Sequence, residues 1–254
     1  MANLPTWNLK DFYPDFKSKK INKDLKFLKD KAVAFNSKYK GKLRNLSVRD
    51  IEKSIKEFEK IEEKVQFIHS FAFLTYCTDQ TNEEKSKFFQ DIEEKINKIQ
   101  MNVIFFTIDI NKLPKNKSDL LSKSSYQSWL KNLFKNKKFQ KPEAIEKILM
   151  EKSITSTSSW VKFFDQFMAR LKFNFRGKDL NESEILDLMS SSDSSKRKDA
   201  AFSFGKTLKD NIFYFNFIMN NISKDLDIEK NIRGFDFPES SRHISNQIDK
   251  KDVD

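Results

Sequence analysis

The sequence has very little glycine, proline and cysteine. Its 254 residues include four glycines, five prolines and one cysteine, Cys77. A single cysteine excludes an internal disulfide framework and favours a reducing, cytoplasmic setting. Because tight turns depend on glycine and proline, their scarcity argues against a turn-rich β protein. These absences predict a mainly α fold made of long antiparallel helices.

Long apolar runs are also missing. No stretch approaches the ~20 apolar residues that a helix needs to cross a bilayer. The N-terminal sequence MANLPTWNLKDFYPDF lacks the charged-then-apolar layout of a signal peptide. We therefore expect no membrane among the partners of this chain.

Arginine is scarce although the chain is basic. The net charge is +11, yet only seven of the 48 basic residues are arginine. A basic chain favours an anionic partner, but specific recognition of bases and phosphates relies on the bidentate guanidinium group. The lysines lie in every predicted helix, mostly beside Glu or Asp, and we interpret most of them as solvated surface. The run Lys131 to Lys141 is the best candidate for a local anionic contact.

Apolar residues recur at helical spacing along the N-terminal half. The pattern predicts three long helices, over residues 19–39, 47–77 and 81–113. Ser47 begins the second helix as its cap, and Thr81 with Glu84 forms a capping box for the third. Pro5 and Pro14 keep the opening residues irregular. Because short polar loops join these helices, we expect them to pack as antiparallel neighbours.

The predicted elements become shorter after Pro114. Helical patterns occur around residues 118–134, from Pro142, over residues 158–167 and after Asn181. One strand signal stands out, because the apolar residues of LKFNF alternate with polar ones. Arg176 and Gly177 can form a turn, so that residues 178–180 return as the second arm of a small β-hairpin. The serines between 190 and 195 predict a turn between helices rather than a linker.

The last part of the chain, residues 190–254, predicts two further helices. The first has one apolar face and is expected to end within residues 220–227; the face consists of Phe204, Leu208, Ile212, Phe215, Met219 and Ile222. The second starts at Ser240 or Ser241 and has Ile244, Ile248 and Val253 on its buried side. Its apolar face still recurs where the sequence ends, so we interpret the chain as cut short. We expect apolar surface on these two helices to be exposed.

Neither histidine belongs to a zinc-peptidase motif, which places a glutamate between two histidines one helical turn apart. His69 is followed by SFAF on the apolar side of the second helix, which predicts a core or boundary residue. His243 is followed by ISNQ, with Ile244 and Gln247 where the glutamate and the second histidine are needed. We predict a hydrogen-bonding role for His243 near a helix start. No catalytic or metal-binding residue is assigned, and the substrate-binding residues are unknown.

Other reactive groups also lack a catalytic context. We predict that Cys77 is a buried, inert thiol. The serines within residues 153–159 have no G-x-S-x-G surroundings, and there is no glycine-rich phosphate loop. The paired carboxylates at 62–63 and 93–94 alternate with lysine, which is typical of solvated helix faces. Phenylalanine is unusually abundant, with 26 residues, and we expect most of these side chains in the core.

Several segments form an ordered set of weak motifs. They are WNLKDFYPDF, FNSKYKGKL, FAFLTYCTDQTNEE, TSTSSW, DSSKRKDAAF and a run from Asn220 or Asn221 through Arg233-Gly234-Phe235 to RHISNQID. In order and spacing they resemble the N-terminal part of the oligoendopeptidase F family of zinc metallopeptidases, which are similar to thimet oligopeptidase. The resemblance covers nearly the whole chain. KPEAIEKIL departs from it, where members often show a Leu-Ser-Glu start.

This resemblance implies a mainly helical peptidase with two lobes around a deep channel. Residues 1–112 would be an N-terminal helical bundle, 113–192 an oligoendopeptidase F N-terminal-type region with a hairpin near 171–180, and 193–254 the start of the catalytic domain. The family binds zinc with HExxH and a later glutamate, downstream of this sequence. Zinc there would polarise a water and the scissile carbonyl, with the motif glutamate as base.

The resemblance also implies how this stretch contributes to a parent zinc metalloendopeptidase. Its helices would form one wall of a channel that restricts access to short, unfolded peptides. The expected partners are peptide substrates and the missing C-terminal catalytic part of the same chain; the stretch alone would bind no zinc and be inactive. The alternatives are a lysine-rich helical binding module for an anionic partner such as nucleic acid, and a purely structural helical scaffold.

Overall fold

The computed structural model describes residues 7–253. Residues 1–6, including Pro5 of the predicted irregular opening, and Asp254 lie outside the described residues. The elements are α1 Lys19–Tyr39, α2 Val48–Cys77, α3 Glu83–Gln100, α4 Phe105–Asn111, α5 Lys115–Leu121, α6 Gln127–Lys135, α7 Glu143–Ser153, α8 Thr157–Arg170, β1 Phe173–Phe175, β2 Lys178–Leu180, α9 Glu182–Leu188, α10 Ser194–Asp210, α11 Ile212–Arg233 and α12 Ser240–Asn246. The prediction of a mainly α fold with one small hairpin is confirmed.

The first two helices follow their predicted patterns closely. Ser18 caps α1 and Ser47 caps α2, each by accepting a backbone N–H with its hydroxyl. The predicted face of α1 is buried throughout; its residues are Ile21, Leu25, Leu28, Ala32, Phe35 and Tyr39. Gly41, with φ +71°, takes the left-handed conformation just after α1 that permits the chain to reverse.

The predicted third helix is wrong in its length, because it consists of α3 and α4 with turns at residues 101–104. The carbonyl of Asn102 accepts a bond of 2.6 Å from the Asn36 amide, and the Asn102 amide donates to the carbonyl of Lys98. These bonds are made where the predicted helix is interrupted. In α4, which follows, Phe105 and Phe106 are both buried. The cap is Asn82 rather than Thr81, whose hydroxyl donates instead to Asp79.

Two apolar clusters form the core. The first packs α1–α4 together and takes in Leu121 of α5 and Leu130 of α6. The second is smaller and joins α8, the hairpin, α9 and α10 through Met168, Phe173, Ile185 and Ala200. None of the described helices combines the length and the apolarity that crossing a bilayer needs. The division at 112/113 and 192/193 stays a prediction.

The predicted hairpin is confirmed. Phe173 pairs with Leu180 and Phe175 with Lys178 in an antiparallel register. Arg176 and Gly177 have φ values of +51° and +84°, as a two-residue type I′ turn requires. Because Phe173 is fully buried and its ring lies 5.2 Å from that of Phe204, the hairpin is fixed against α10.

The predicted first C-terminal helix is wrong in its bounds. It is interrupted at Asn211, and α11 continues beyond the expected end to Arg233, where Gly234 follows with φ +75°. The interruption shifts the helical phase, so Ile212 and Met219 of the predicted face are exposed, whereas Ile218 is buried. The buried residues of α10, Ala200 and Ser203, and the buried residue of α11, Ile218, therefore do not lie on one continuous helix face.

The final helix is shorter than predicted. Its cap is Glu239, and α12 ends at Asn246, because Gln247 takes a left-handed conformation with φ +56°. Ile248 and Val253 are exposed, so their predicted burial is wrong. Since both residues follow the end of α12, neither continues the helix face that begins with the half-buried Ile244.

Candidate functional site

A set of exposed and mostly aromatic side chains lies on α8, α10 and α11. We call it the aromatic surface; its residues are Val161, Phe163, Phe164, Phe202, Ile212, Phe213, Tyr214, Phe217 and Met219. Phe202 and Phe213 are 74% and 72% exposed. Ring contacts join the part of this set that lies on α8 and α11, and large exposed apolar patches mark interaction sites. The exposure of apolar residues predicted for the last two helices is confirmed on α10 and α11, whereas α12 itself carries only the half-buried Ile244.

Ring contacts between α8 and α11 hold this surface in place. Trp160 lies 5.5 Å from Phe217, and Phe167 lies 5.1 Å from Tyr214 between ring centroids. The backbone N–H and the hydroxyl of Thr157 both donate to the carboxylate of Asp225. Since Thr157 begins α8, this contact fixes the start of α8 to the middle of α11.

A half-buried ion-pair network lies at the other end of α11. The guanidinium of Arg233 donates two bonds to Glu146 of α7, at 3.1 and 3.2 Å, and one of 2.7 Å to Glu229. Burial by itself lowers the pKa of Arg233, but the bonds to both carboxylates outweigh it and raise the pKa. Arg233 therefore stays charged and joins α7 to α11.

Two grooves meet at this network. One, of about 320 Å³, extends towards α6 and Phe235; the other, of about 490 Å³, extends along α7 and the middle of α11. Arg233, Glu146 and Glu229 line both grooves, together with Ile104. Phe235 is buried with its ring 4.8 Å from Phe139. Arg233 thus lines both grooves, whereas Phe235 lines the groove that extends towards α6.

A third groove, of about 440 Å³, lies between α6 and α12 and is lined by His243. Lys135 pairs with Asp249 at 2.5 Å and Asn132 bonds to Gln247 at 2.9 Å across this groove. One lysine of the predicted basic run therefore has an anionic partner within the chain. Within residues 7–253 the His243 imidazole has no hydrogen bond, so its predicted hydrogen-bonding role has no support there.

The other histidine lies at a boundary, as predicted. His69 on α2 is half-buried, with its ring stacked on Phe73 and edge-on to Phe89. Burial lowers the pKa of its imidazole. His69 therefore tends to be neutral and contributes to packing between α2 and α3.

Cys77 is exposed, so its predicted burial is wrong. It is the last residue of α2, beyond the buried Tyr76 at the end of the apolar face. Partial burial and the nearby Asp165 carboxylate nevertheless raise the pKa of the thiol. The thiolate, which is the reactive form, is disfavoured there.

The predicted solvated faces are wrong for three of the four glutamates, since Glu94 is half-buried as well as the two described next. Glu62 and Glu93 are half-buried, and burial raises the pKa of each carboxyl. Glu93 lies near Lys162 of α8, whose pKa burial lowers. The alternation with lysine did not reveal that α2, α3 and α8 pack over these positions.

The described residues do not fit a zinc site. Within residues 7–253 no group of three or more His, Cys, Asp and Glu side chains is placed to hold a metal, whereas zinc sites use at least three protein ligands. The two histidines lie on α2 and α12. No catalytic step of this stretch is therefore assigned to a metal.

Comparison with known proteins shows what this arrangement is similar to. The family model for oligopeptidase F matches residues 109–173, from the end of α4 to the start of the hairpin. The structure is similar to oligoendopeptidase F from Enterococcus faecium, with a TM-score of 0.78 and 15% identity. The similarity to the N-terminal part of the oligoendopeptidase F family is confirmed.

The alignment with the Enterococcus faecium oligoendopeptidase F covers 91% of this chain and 48% of that one. A "putative peptidase" from Chlamydophila abortus is also similar, with a TM-score of 0.56 and 14% identity, covering 96% of this chain and 42% of that one. No curated protein sequence matches the chain. The chain thus spans about half the length of the structures it resembles.

The motifs that resemble oligoendopeptidase F have positioning roles in the structure. In DSSKRKDAAF, Asp193 caps α10 and Arg197 donates to the carbonyls of Ser191 and Ser192. Asp199 of the same motif pairs with Arg176 of the hairpin turn at 2.7 Å. Sequence reasoning marked these segments but did not find their partners, because the partners lie in other elements.

Proposed function

We propose that this chain is the N-terminal part of an oligoendopeptidase F-like zinc metalloendopeptidase that hydrolyses short peptides. In this proposal its helices form one wall of the substrate channel and contribute no catalytic residue. The observation that carries it is the agreement of a sequence match and a fold match on the same family.

The lengths of the matched chains support the proposal that a second part exists. About half of the Enterococcus faecium structure has no counterpart in these 254 residues. The aromatic surface, with two phenylalanines about three-quarters exposed, is suitable for contact with such a part. We propose that the zinc site, with HExxH, belongs to it, and that the stretch described here is inactive alone.

The grooves around Arg233 support a role beside the substrate. Burying an ion pair costs solvation, and only good bonding geometry offsets that cost; here both oxygens of Glu146 are bonded to Arg233. We propose that this network keeps α7 and α11 at a fixed separation, so that the channel admits extended peptides and excludes folded proteins. The cytoplasm is the proposed location.

The coding sequence that follows Asp254 tests the proposal. An in-frame HExxH is expected, and the extended chain should bind one zinc and cleave a quenched fluorescent peptide of about eight residues. The 254-residue chain, measured in parallel by elemental analysis and by the same assay, should do neither. One zinc per 254-residue chain, or an extended chain with no HExxH, would contradict the proposal.

The alternative, a lysine-rich module that binds nucleic acid, has a separate test. Binding through many lysines must fall steeply with salt. A gel shift with a random duplex at about 50 mM salt should show no complex if the peptidase proposal holds. A complex that dissociates as the salt concentration is raised would favour the alternative.

A further inference from the structure

An open groove lies between α1 and α2, in the N-terminal part of the chain. Its volume is about 610 Å³. Leu28, Phe35 and Ile61, which are buried core residues, form its floor. Phe27 also lines the groove and is 58% exposed, although it lies on a helix whose other large apolar side chains mostly point into the core.

Lysines line both edges of this groove. Lys31 and Lys38 come from α1, Lys60 and Lys64 come from α2, and Glu57 is the single carboxylate among the lining residues. The groove is therefore apolar at its base and cationic along both sides.

Two of these lysines are already paired within the chain. Lys38 bonds to Glu57 at 2.7 Å, and Lys64 bonds to Asp24 at 2.6 Å. Lys31 lies over the ring of Phe27, 5.4 Å from its centroid, and within residues 7–253 neither Lys31 nor Lys60 has an ion-pair partner. One uncompensated ammonium group thus remains on each side of the groove.

The length of the groove and the positions of its charged residues indicate what kind of ligand it can bind. The lining residues of α1 run from Phe27 to Lys38, which is about 16 Å, or three helical turns, at 1.5 Å per residue. A ligand with one carboxylate at its end would leave the ammonium group on the opposite side unpaired. An amphipathic helix with an apolar stripe and acidic residues along both edges satisfies the floor and both sides together.

We propose that the groove between α1 and α2 binds an acidic amphipathic helix of a partner protein. The apolar stripe of that helix contacts Phe27 and the floor, and its carboxylates pair with Lys31 and Lys60. This site is separate from the aromatic surface and does not depend on the proposed peptidase activity.

A fluorescein-labelled helical peptide tests the proposal on the 254-residue chain. The probe has about 14 residues, or four turns, with leucines at helical spacing and glutamates at the flanking positions; a second peptide replaces every glutamate by lysine. Fluorescence anisotropy should show binding of the acidic peptide only. Binding should weaken at least about threefold between about 50 and 300 mM salt, since exposed ion pairs are screened.

The variant Lys31→Glu/Lys60→Glu should weaken binding of the acidic peptide at least about tenfold, because two attractions become repulsions. Phe27→Ser should weaken it as well. The matched control Lys29→Glu/Lys87→Glu makes the same change in net charge at exposed lysines that do not line the groove. It should change the affinity by less than about twofold, and circular dichroism should show both variants folded.

Three results would overturn the proposal. The first is equal affinity of Lys31→Glu/Lys60→Glu and the control for the acidic peptide. The second is equally tight binding of the lysine-containing peptide. The third is binding of phosphatidylserine vesicles that Lys31→Glu/Lys60→Glu abolishes, with no binding of the acidic peptide, which would assign the groove to a membrane surface.

Discussion

Arg233 and Glu146 form a two-bond ion pair between helices whose paired residues are 87 positions apart in the sequence. The Nη1–Oε1 and Nη2–Oε2 distances are 3.1 and 3.2 Å, and the side chains are 21% and 11% exposed. Glu146 also accepts the backbone N–H of Lys141 at 2.8 Å. The carboxylate thus joins the end of α11, the start of α7 and the loop before α7.

Removing one partner of this pair should destabilise the chain. Arg233→Met leaves the Glu146 carboxylate half-buried without its guanidinium, and we expect a loss of about 2–4 kcal/mol in the free energy of unfolding. Urea denaturation measures it. Lys224→Met, which breaks the exposed pair with Asp227, is the control and should change the free energy of unfolding far less, because exposed ion pairs contribute little. Equal losses for the two variants would show that the network contributes no more than an exposed pair.

The double variant Arg233→Met/Glu146→Leu should lose less stability than Arg233→Met alone, because the Glu146 carboxylate is no longer left without its guanidinium. The same urea experiment completes a double-mutant cycle for the two residues. A coupling energy near zero would contradict the assignment of these two residues to one network.

Local patterns were sufficient to predict much of the fold. The face of α1 was predicted residue by residue, since six apolar residues at helical spacing have only one way to be buried together. The hairpin was predictable because Arg176 and Gly177 form the turn between two alternating segments. In each case the deciding residues lie within one or two elements of the chain.

The interruptions at Asn102 and Asn211 could not be predicted in the same way. At Asn102 the backbone carbonyl bonds to Asn36, which is 66 residues away. For the candidate site, the Arg-Gly-Phe motif drew attention to Arg233, but no pattern indicated Glu146 as its partner. These features depend on contacts between elements that are distant in the sequence, and helical periodicity gives no information about such contacts.

Gly234, which follows the end of α11, should be sensitive to substitution. Its φ of +75° lies in the left-handed region, where a Cβ atom is strained even though no atom crowds it. Gly234→Ala should therefore cost about 1 kcal/mol. Gly205→Ala, in the interior of α10 and equally uncrowded, should instead stabilise the chain by up to about 1 kcal/mol. Thermal unfolding compares the two; a shift of the same sign would contradict the prediction.

Asp24 should make the stability of the N-terminal helices depend on acid pH. Its carboxylate accepts bonds from Lys64 at 2.6 Å and from Tyr13 at 2.8 Å. Burial by itself raises the pKa of Asp24, but these bonds outweigh it and lower the pKa. The stabilisation is therefore complete above the unfolded pKa of about 3.9 and is lost as the pH falls through the lower folded value.

Asp24→Asn should cost about 1–2 kcal/mol at pH 7, because bonds to a charged acceptor are lost. The difference from the unmodified chain should shrink as the pH falls below about 3.9. Urea unfolding at several pH values measures it, with Asp30→Asn at an exposed position of the same helix as the control. A difference that stays constant down to pH 2 would show that the Asp24 carboxylate is not the titrating group.

The aromatic surface should bind a hydrophobic dye without contributing to stability. Phe202→Ser/Phe213→Ser removes two side chains that are 74% and 72% exposed, so the free energy of unfolding should change by less than about 0.5 kcal/mol. Anilinonaphthalene sulfonate fluorescence should fall clearly. Ile218→Ala, next to the exposed Phe217 but itself 4% exposed, should cost about 2–5 kcal/mol. If the double variant bound the dye as strongly as the unmodified chain, the dye would be occupying another site and the aromatic surface would lose its support as a contact surface.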